Sequence, residues 1–270
     1  MNNNTSITIV TVCYNAVTTI EQTILSVINQ TFTNIEYIII DGGSIDGTID
    51  IIKKYAKNIS VWISEPDKGI YDAMNKGIEL ATGQWINFMN SGDLFYNSNT
   101  LNNIFGKKII NADIIYGDRL SRCSFGEFYH KVDSLDKFNK FFPLFHQSIF
   151  IKTEVAKKNK FDLKYKICAD YNQMYQLYKN NYSFYYMPIS MSICECENGI
   201  STIIENQVQR MSENELIVNG KISFKAKILF KLIPVKLFMK SIVRFIYPSY
   251  FSDANKRKRL LRDPRIFLNN

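Results

Sequence analysis

The stretch that decides the fold is IEYIIIDGGSIDGT, at residues 35–48. Its first part, Ile35–Ile40, is rich in β-branched residues, which favour a buried strand. Asp41 and the two glycines after it then break the strand, because glycine permits a tight turn and a close backbone approach to a ligand. The next segment, Thr48–Tyr55, has the apolar spacing of a helix. The stretch therefore predicts a strand, a polar turn and a helix in succession.

The same alternation continues on both sides of this stretch. Short apolar runs and helical spacing predict strands at Ile7–Val12, Val61–Ser64 and Trp85–Met89 and helices at Thr18–Asn29 and Asp72–Ala81. Strands that alternate with helices indicate right-handed βαβ units and a mostly parallel sheet. The expected fold class is therefore α/β, with helices flanking the sheet.

Polar clusters follow three of the predicted strands. They are Cys13-Tyr14-Asn15, Asp41-Gly42-Gly43-Ser44 and Asn90-Ser91-Gly92-Asp93. Parallel strands end at the same edge of their sheet, and ligands of such proteins bind beyond that edge. We therefore expect the three clusters to converge on one binding site.

After about residue 110 the periodicity is weaker. It predicts strands at Asp113–Tyr116, Gln147–Ile151 and Phe184–Met187 and helices at Asp170–Tyr178 and 205–219. We expect Gly117-Asp118 to end the first of these strands and Pro188 to end the last.

Composition excludes several classes of protein. With 46% hydrophobic and 21% charged residues, the 270-residue chain is not a disordered protein. Its five cysteines are too few for a disulfide scaffold and fit a reducing compartment. Cys194 and Cys196 lack the nearby second pair that a zinc site needs. We expect no secretory signal, and no uncharged apolar run reaches the roughly 20 residues of a membrane-spanning helix.

Positive charge is concentrated near the C-terminus. The formal net charge is +8, but the segment from Lys221 to Arg265 carries thirteen basic and two acidic residues, so the rest of the chain is nearly neutral. This distribution argues against nucleic acid as a partner. Apolar residues interleave with the lysines, which is typical of an amphipathic helix on an anionic membrane surface. The alternative is a helix that packs on the core and exposes a solvated basic face.

Five segments, in order, resemble a known family: VTVCYN at 10–15, SVINQTF at 26–32, EYIIIDGGSIDGT at 36–48, EPDKGIYDAMNKGI at 65–78 and ATGQWI at 81–86. Together they are similar to the first part of the family 2 glycosyltransferases with the GT-A fold. The subgroup resembled builds bacterial O-antigens, capsules and exopolysaccharides. The likeness is close over residues 6–100 and looser over 140–180.

The resemblance implies an inverting, metal-dependent hexosyltransferase with a GT-A, Rossmann-like sheet. Its donor would be a UDP-hexose, such as UDP-glucose, UDP-galactose or a UDP-N-acetylhexosamine, and its acceptor a glycan on a polyprenyl diphosphate. Such a protein would be cytoplasmic and peripheral at the inner face of the cell membrane. Two alternatives stay open: a non-catalytic sugar-nucleotide-binding module, and a transferase with a different donor and a non-lipid acceptor.

The resemblance assigns three residues to the nucleotide base, namely Thr11, Tyr14 and Asp41, with the Tyr14 ring stacked on it. It also places Asp67 and Lys68 at the nucleotide, where the lysine would reach the diphosphate. Each assignment has a structural alternative: Tyr14 in packing, Asp41 in an Asx-turn before the next helix, and Lys68 on a solvated surface.

The expected metal motif departs from the family pattern, which is Asp-x-Asp. The chain has Asn90-Ser91-Gly92-Asp93, so Asp93 is the single carboxylate left to hold Mn²⁺ or Mg²⁺. Hard cations take oxygen ligands, and Asn90 and the donor diphosphate can supply the others. The alternative is that Asp93 caps a turn or a helix.

The resemblance implies that Asp170, in Cys168-Ala169-Asp170-Tyr171, is the base that deprotonates the acceptor hydroxyl. Family members carry two acids here, and this chain keeps one. A helix pattern follows, so Asp170 is alternatively an N-cap. His146 and Gln147 match a recurring pair expected near the acceptor or the diphosphate; a structural histidine is the alternative.

The sequence divides into three expected parts. Residues 1–110 would bind the nucleotide sugar, and residues 111–220 would bind the acceptor within the same GT-A domain. Residues 221–270 would form the basic amphipathic segment that associates with the membrane.

Overall fold

A computed structural model gives the fold of the chain. It describes residues 5–106, 110–195, 206–224, 226–228, 230–233, 253–263 and 265–268.

The N-terminal part alternates strands and helices as predicted, with every boundary within two residues of the expected one. Its elements are β1 (Ile7–Cys13), α1 (Ile20–Ile28), β2 (Ile35–Asp41), α2 (Thr48–Lys54), β3 (Val61–Ser64), α3 (Ile70–Leu80) and β4 (Trp85–Phe88). The four strands pair in parallel in the order β4-β1-β2-β3. Their polar ends therefore meet at one edge of the sheet.

Later strands extend this parallel unit, most of them with antiparallel pairing. The further elements are β5 (Leu94–Phe95), α4 (Thr100–Phe105), β6 (Ile114–Cys123), β7 (Gly126–His130), β8 (Ile149–Lys152), α5 (Thr153–Lys158), α6 (Ala169–Lys179), β9 (Phe184–Glu195), α7 (Gln207–Asn219), α8 (Asp253–Leu260) and β10 (Ile266–Phe267). The sheet runs β10-β7-β6-β8-β4-β1-β2-β3, and β9 lies between β6 and β5. The α/β class is confirmed, in a mixed sheet.

Two predicted strand ends were wrong. Strand β6 continues through Gly117 to Cys123, and β9 continues through Pro188 to Glu195. The two strands pair in parallel, and their register shifts next to Gly117, where Met187 is paired and the next paired residue of β9 is Ser190. Because the bulge takes Pro188 out of the ladder, its missing N–H group costs no hydrogen bond.

Helices cover both faces of the sheet around β1, so this strand is buried on two sides. Neighbouring residues of β1 point to opposite cores: Ile9 packs with α1, α2 and α4, and Val10 packs with α3, α5, α6 and α7. Both side chains are fully buried. Full burial of one such side chain stabilises the fold by about 1.5–3 kcal/mol, which explains the unbroken apolar runs of the first strands.

The C-terminal end of the chain returns to the sheet. Strand β10 pairs with β7, with Ile266 opposite His130, and the guanidinium of Arg265 contacts the carboxylate of Asp133. Residues 234–252, the middle of the predicted membrane segment, lie outside the described residues. Within the described part of the chain, no helix combines the length and the apolarity needed to cross a bilayer.

Candidate active site

Two of the three predicted polar clusters are bonded to each other beyond β1 and β2. Asn15 adopts a positive φ of 46°, and its backbone N–H donates to the Ser44 hydroxyl at 2.7 Å. Its side-chain oxygen accepts from the backbone N–H of Ile45 at 3.1 Å. The loop after β1 and the loop after β2 therefore form one unit.

Asp41, at the end of β2, stabilises this unit by hydrogen bonds. Its buried carboxylate accepts hydrogen bonds from the hydroxyls of Ser44 (2.5 Å) and Ser64 (2.7 Å) and from the backbone N–H groups of Gly43 (3.1 Å) and Ser44 (2.9 Å). Burial raises the pKa of Asp41, but these hydrogen bonds outweigh it and bring the pKa below its ordinary value. The carboxylate is thus ionised, with both oxygens engaged by the protein.

The hydroxyl of Thr11 also binds other groups of the protein. Its fully buried hydroxyl donates to the carbonyl of Met89 at 2.8 Å and lies 3.0 Å from the hydroxyl of Tyr37. This ties β1 to the end of β4, next to the third polar cluster. Contact of Thr11 or Asp41 with a nucleotide base stays a prediction.

Tyr14 and Asp67 both lie close to Gly42. The Tyr14 side chain is 64% exposed. A Cβ atom at position 42 would lie 2.6 Å from Oδ2 of Asp67 and 3.4 Å from the Tyr14 ring, so the absence of a side chain lets both groups approach the backbone here. The other Asp67 oxygen accepts from the backbone N–H of Gly69 at 2.7 Å, and Lys68 is exposed beside it. A phenol face and a carboxylate oxygen therefore border one small open slot.

The third cluster meets residues from the second half of the chain. Nε2 of His146 lies 3.5 Å from Oδ2 of Asp93, and Nδ1 of the same ring lies 4.0 Å from Oδ2 of Asp170. The side-chain amide of Gln147 donates to Oδ1 of Asp93 at 3.1 Å. The imidazole thus bridges two carboxylates that are 77 positions apart in the sequence.

The three bridging groups differ in exposure and charge. The side chains of Asp93, Asp170 and His146 are 14%, 19% and 33% exposed. Burial raises the pKa of Asp170 above its ordinary value, and the opposing effects of His146, the N–H of Tyr171 and the hydroxyl of Tyr71 do not cancel it. For His146, burial lowers the pKa, but contact with Asp93 and the charge of Asp170 outweigh it and raise the pKa. Asp170 is therefore a poorly solvated carboxylate next to an imidazole whose pKa is raised.

The residues present fit a divalent cation only in part. Asp93 offers carboxylate oxygens, and Oδ1 of the neighbouring Asn90 is buried without a hydrogen-bond partner. No group of three His, Cys, Asp or Glu residues among the described ones could hold a metal ion. A hard cation at Asp93 and Asn90 would need most of its oxygen ligands from a substrate and from water.

The profile of the family described as "Glycosyl transferase family 2" matches residues 8–180, which include every candidate residue above. The chain belongs to glycosyl transferase family 2. The matched region contains the loops after β1 and β2 and the Asp93–His146–Asp170 group.

A curated relative agrees with this membership, and solved structures share the fold. A PGL/p-HBAD biosynthesis glycosyltransferase of Mycobacterium tuberculosis is 31% identical over 161 residues, which are 57% of this chain and 62% of that relative. The fold is similar to Staphylococcus aureus TarS 1–349 in complex with UDP-GlcNAc (TM-score 0.61, 16% identity, covering 82% of this chain and 69% of that one). It is also similar to a mannosyltransferase of Pyrobaculum calidifontis in complex with GDP-Man and Mn²⁺ (TM-score 0.58, 14% identity, covering 76% and 61%).

Glu213, which binds the backbone just before Asp170, was not among the residues expected from the sequence. Glu213 of α7 is buried, and its carboxylate accepts from the backbone N–H groups of Lys166 (2.9 Å), Ile167 (3.0 Å) and Cys168 (2.9 Å). These donors directly precede α6 of the family 2 region. Nothing in the sequence around Glu213 distinguishes it from a surface glutamate of a helix, since its partners are about 45 positions away.

Proposed function

We propose that this protein transfers a hexose from a UDP-hexose to a hydroxyl group of a lipid-linked glycan, with inversion at the anomeric carbon. The observation that carries the proposal is the placement of Asp93 and Asp170 on either side of the His146 ring, at 3.5 and 4.0 Å. An inverting transfer needs a base on the acceptor side and charge stabilisation on the leaving-group side. The two carboxylates are close enough to serve one reaction from its two sides.

Tyr14 and Asp67 bind the uracil base in this proposal. The exposed Tyr14 ring offers a face for stacking, and Oδ2 of Asp67 is directed to the same slot, where it accepts a hydrogen bond from the base. Thr11 and Asp41 belong to the same nucleotide site, where their polar atoms bind the protein and fix the ends of β1 and β2. Two structures with a similar fold are complexes with UDP-GlcNAc and with GDP-Man, which supports a nucleotide-sugar donor.

The diphosphate of the donor is bound, in this proposal, by Asp93, Asn90 and Lys68. Asp93 and the unpartnered oxygen of Asn90 would bind Mn²⁺ or Mg²⁺ together with the donor phosphates. Such a cation supplies Lewis-acid stabilisation of the UDP leaving group when it is bound. Lys68 is exposed and adds a positive charge that reaches the diphosphate.

Asp170 is the general base of the proposed reaction. It accepts the proton of the acceptor hydroxyl while the hydroxyl oxygen forms a bond to the anomeric carbon and the bond to the UDP oxygen breaks. His146 and Gln147 hold Asp93 and lie between the donor phosphates and the acceptor. Burial of Asp170 favours this role, because it raises the proton affinity of the carboxylate.

The proposed acceptor is a glycan on polyprenyl diphosphate at the cytoplasmic face of the cell membrane, in the synthesis of a bacterial surface polysaccharide such as an O-antigen or a capsule. The thirteen basic residues between Lys221 and Arg265 support it, because basic amphipathic segments bind anionic lipid surfaces. In the proposed division, residues 1–110 serve the donor, 111–220 the acceptor and 221–270 the membrane.

Release of UDP from a panel of nucleotide sugars, with and without a lipid-linked glycan fraction, tests the proposal. We expect acceptor-dependent UDP release with one UDP-hexose, and release about 10²–10⁴-fold slower with Asp170→Asn. Asp136→Asn, a change at an exposed aspartate, is the matched control and should retain activity. A protein that binds UDP tightly but releases none from any donor would be a sugar-nucleotide-binding module instead.

A further inference from the structure

Arg119 is a cation without an acidic partner among the described residues. The other arginines near the sheet edge form ion pairs: Arg122 with Glu127 and Arg265 with Asp133. Nε of Arg119 is buried and has no hydrogen-bond partner, while the side chain as a whole is partly exposed. A guanidinium stays charged at any physiological pH, and a partly buried charge without a partner is costly. The position therefore favours an anion that reaches it from solvent.

Arg119 faces the turn that carries His146. Its guanidinium carbon lies 4.3 Å from the ring centroid of Phe145, the residue before His146. Arg119 is in register with Ser192 of β9, whose hydroxyl lies 2.6 Å from that of Ser148 at the end of the same turn. Residues in register point to the same face of a sheet, so Arg119 and the turn share one side.

His130 lies opposite Arg119 on the neighbouring strand β7. Its Nε2 is buried without a partner, and its ring meets the Phe145 ring edge-on at 6.4 Å. Burial and the charge of Arg119 lower the pKa of His130 to about 4, so the imidazole is neutral at neutral pH. A neutral imidazole can donate one hydrogen bond without adding charge. Two residues that each carry a buried, unpartnered nitrogen thus occupy paired positions on β6 and β7.

The sheet order locates this pair relative to the proposed substrates. Strand β6 is two strands from β5, so Arg119 is roughly 10 Å from the region of Asp93 along the sheet. It is five strands from β3, roughly 24 Å from the strand that precedes Lys68. The pair therefore borders the reaction centre from the side opposite the nucleotide loops.

We propose that Arg119 and His130 form a subsite that binds a phosphate group of a substrate. The inference rests on the proposed function and names a chemical group of its substrates: either the diphosphate of the acceptor lipid or that of the donor. Arginine suits this role because its planar fork donates two parallel hydrogen bonds to phosphate oxygens. Contact with the Phe145 ring, 4.3 Å from the guanidinium carbon, restricts where the fork can lie.

Calorimetric titration of Arg119→Gln tests the subsite. The probes are UDP and, with UDP saturating, geranyl diphosphate; uridine and geraniol are the phosphate-free controls. We expect Arg119→Gln to bind one phosphate probe about 10- to 100-fold more weakly, as for loss of a hydrogen bond to a charged group, and to bind uridine and geraniol unchanged. Weaker UDP binding assigns the subsite to the donor, and weaker geranyl diphosphate binding assigns it to the acceptor.

Arg122→Gln is the matched control, since Arg122 lies on the same strand but is paired with Glu127. It should bind all four probes like the unmodified protein. Arg119→Lys keeps the charge and loses the planar fork, so its affinity for the phosphate probe should lie between those of Arg119→Gln and Arg122→Gln. Arg119→Lys also replaces Arg119→Gln if that variant does not fold.

Three results would overturn the subsite. The first is that the Arg119 variants bind the phosphate probes with affinities within twofold of the Arg122→Gln control, and the second is that they lose equal affinity for uridine and for UDP. The third is that their UDP affinity is unchanged while the unmodified protein does not bind geranyl diphosphate. Failure of the proposed function has a different signature. It would be seen as absence of UDP binding in the unmodified protein; geranyl diphosphate, titrated then without UDP, would still report on Arg119.

Discussion

The hydroxyl oxygen of Tyr71 lies 2.9 Å from Oδ1 of Asp170, although 99 positions separate the two residues in the sequence. The same hydroxyl lies 2.7 Å from the carbonyl oxygen of Ile167, so its proton is shared between two acceptors. Tyr71 belongs to the first turn of α3 and Asp170 to the first turn of α6. The contact joins the segment that carries Asp67 and Lys68 to the proposed base.

Tyr71→Phe should move the pH dependence of the reaction. The Tyr71 hydroxyl lowers the pKa of Asp170, so its removal leaves that pKa higher still. The base acts when it is deprotonated, and activity is lost as the pH falls through its pKa. We therefore expect the acidic limb of the kcat/KM profile to shift to higher pH. Tyr55→Phe, which removes a surface hydrogen bond to Glu21, should leave the limb in place. If the acidic limb of the profile does not move in Tyr71→Phe, Tyr71 has no effect on the pKa of the base.

Asp170→Asn should reduce turnover by about 10²–10⁴-fold, the usual contribution of a general base. The amide keeps the size of the side chain but does not accept the proton. Binding of UDP, measured by calorimetry, should stay nearly unchanged because the nucleotide slot lies on other elements. Turnover within a few-fold of the unmodified protein would leave Asp170 with a capping role only.

Asp93→Ala should abolish metal-supported turnover. Loss of the only carboxylate of the Asn90–Asp93 cluster removes the protein's main ligand for the cation. In the unmodified protein we expect EDTA to stop the reaction and Mn²⁺ or Mg²⁺ to restore it. Full activity in EDTA would contradict a metal at Asp93.

Tyr14→Ala should weaken UDP binding by about 5- to 150-fold, because stacking of a base on an aromatic ring contributes about 1–3 kcal/mol. Tyr14→Phe keeps the ring and should bind UDP almost as the unmodified protein does. The Tyr14 side chain is 64% exposed, so neither change should lower the melting temperature appreciably. Equal UDP affinity of the Ala and Phe variants would refute stacking.

Neutralising Lys227 and Lys231 together should weaken binding to anionic vesicles. Both residues are exposed, and each lysine near an anionic surface contributes about 1 kcal/mol, an effect that salt screens. Co-sedimentation with phosphatidylglycerol vesicles measures the effect, and the double change of Lys53 and Lys57 to Gln is the control. Deletion from Lys221 onward is a poorer test, because it also removes β10 from the sheet. Equal sedimentation of both double variants would favour a packing role for this segment.

The N-terminal half of the fold could be predicted because its information is local. Each strand from β1 to β4 is a short apolar run and each helix has its own periodicity, so the βαβ alternation is visible without knowledge of partners. The polar clusters at 13–15, 41–44 and 90–93 follow from the same alternation, since parallel strands end together. The resemblance carried by these segments identified the family before any geometry was known.

Pairing between distant segments could not be predicted in the same way. Gly117 and Pro188 are local signals for strand ends, yet both lie inside long strands, because the bulge between β6 and β9 removes the proline from the ladder. The short strands β5, β7 and β10 have no periodicity of their own and exist through their partners.

The sequence by itself determined the fold class, the edge of the sheet where the site lies and the residue types present there. Only the tertiary structure decided how those residues divide their tasks: the oxygens of Asp41 bind the loop around it, Asp67 and Tyr14 meet beside Gly42, and His146 lies between Asp93 and Asp170. Hydrogen bonds and ion pairs act over a few ångströms, and these partners are tens of positions apart. Which lone pairs and charges remain free for a substrate is therefore a property of packing, and no periodicity in the chain encodes it.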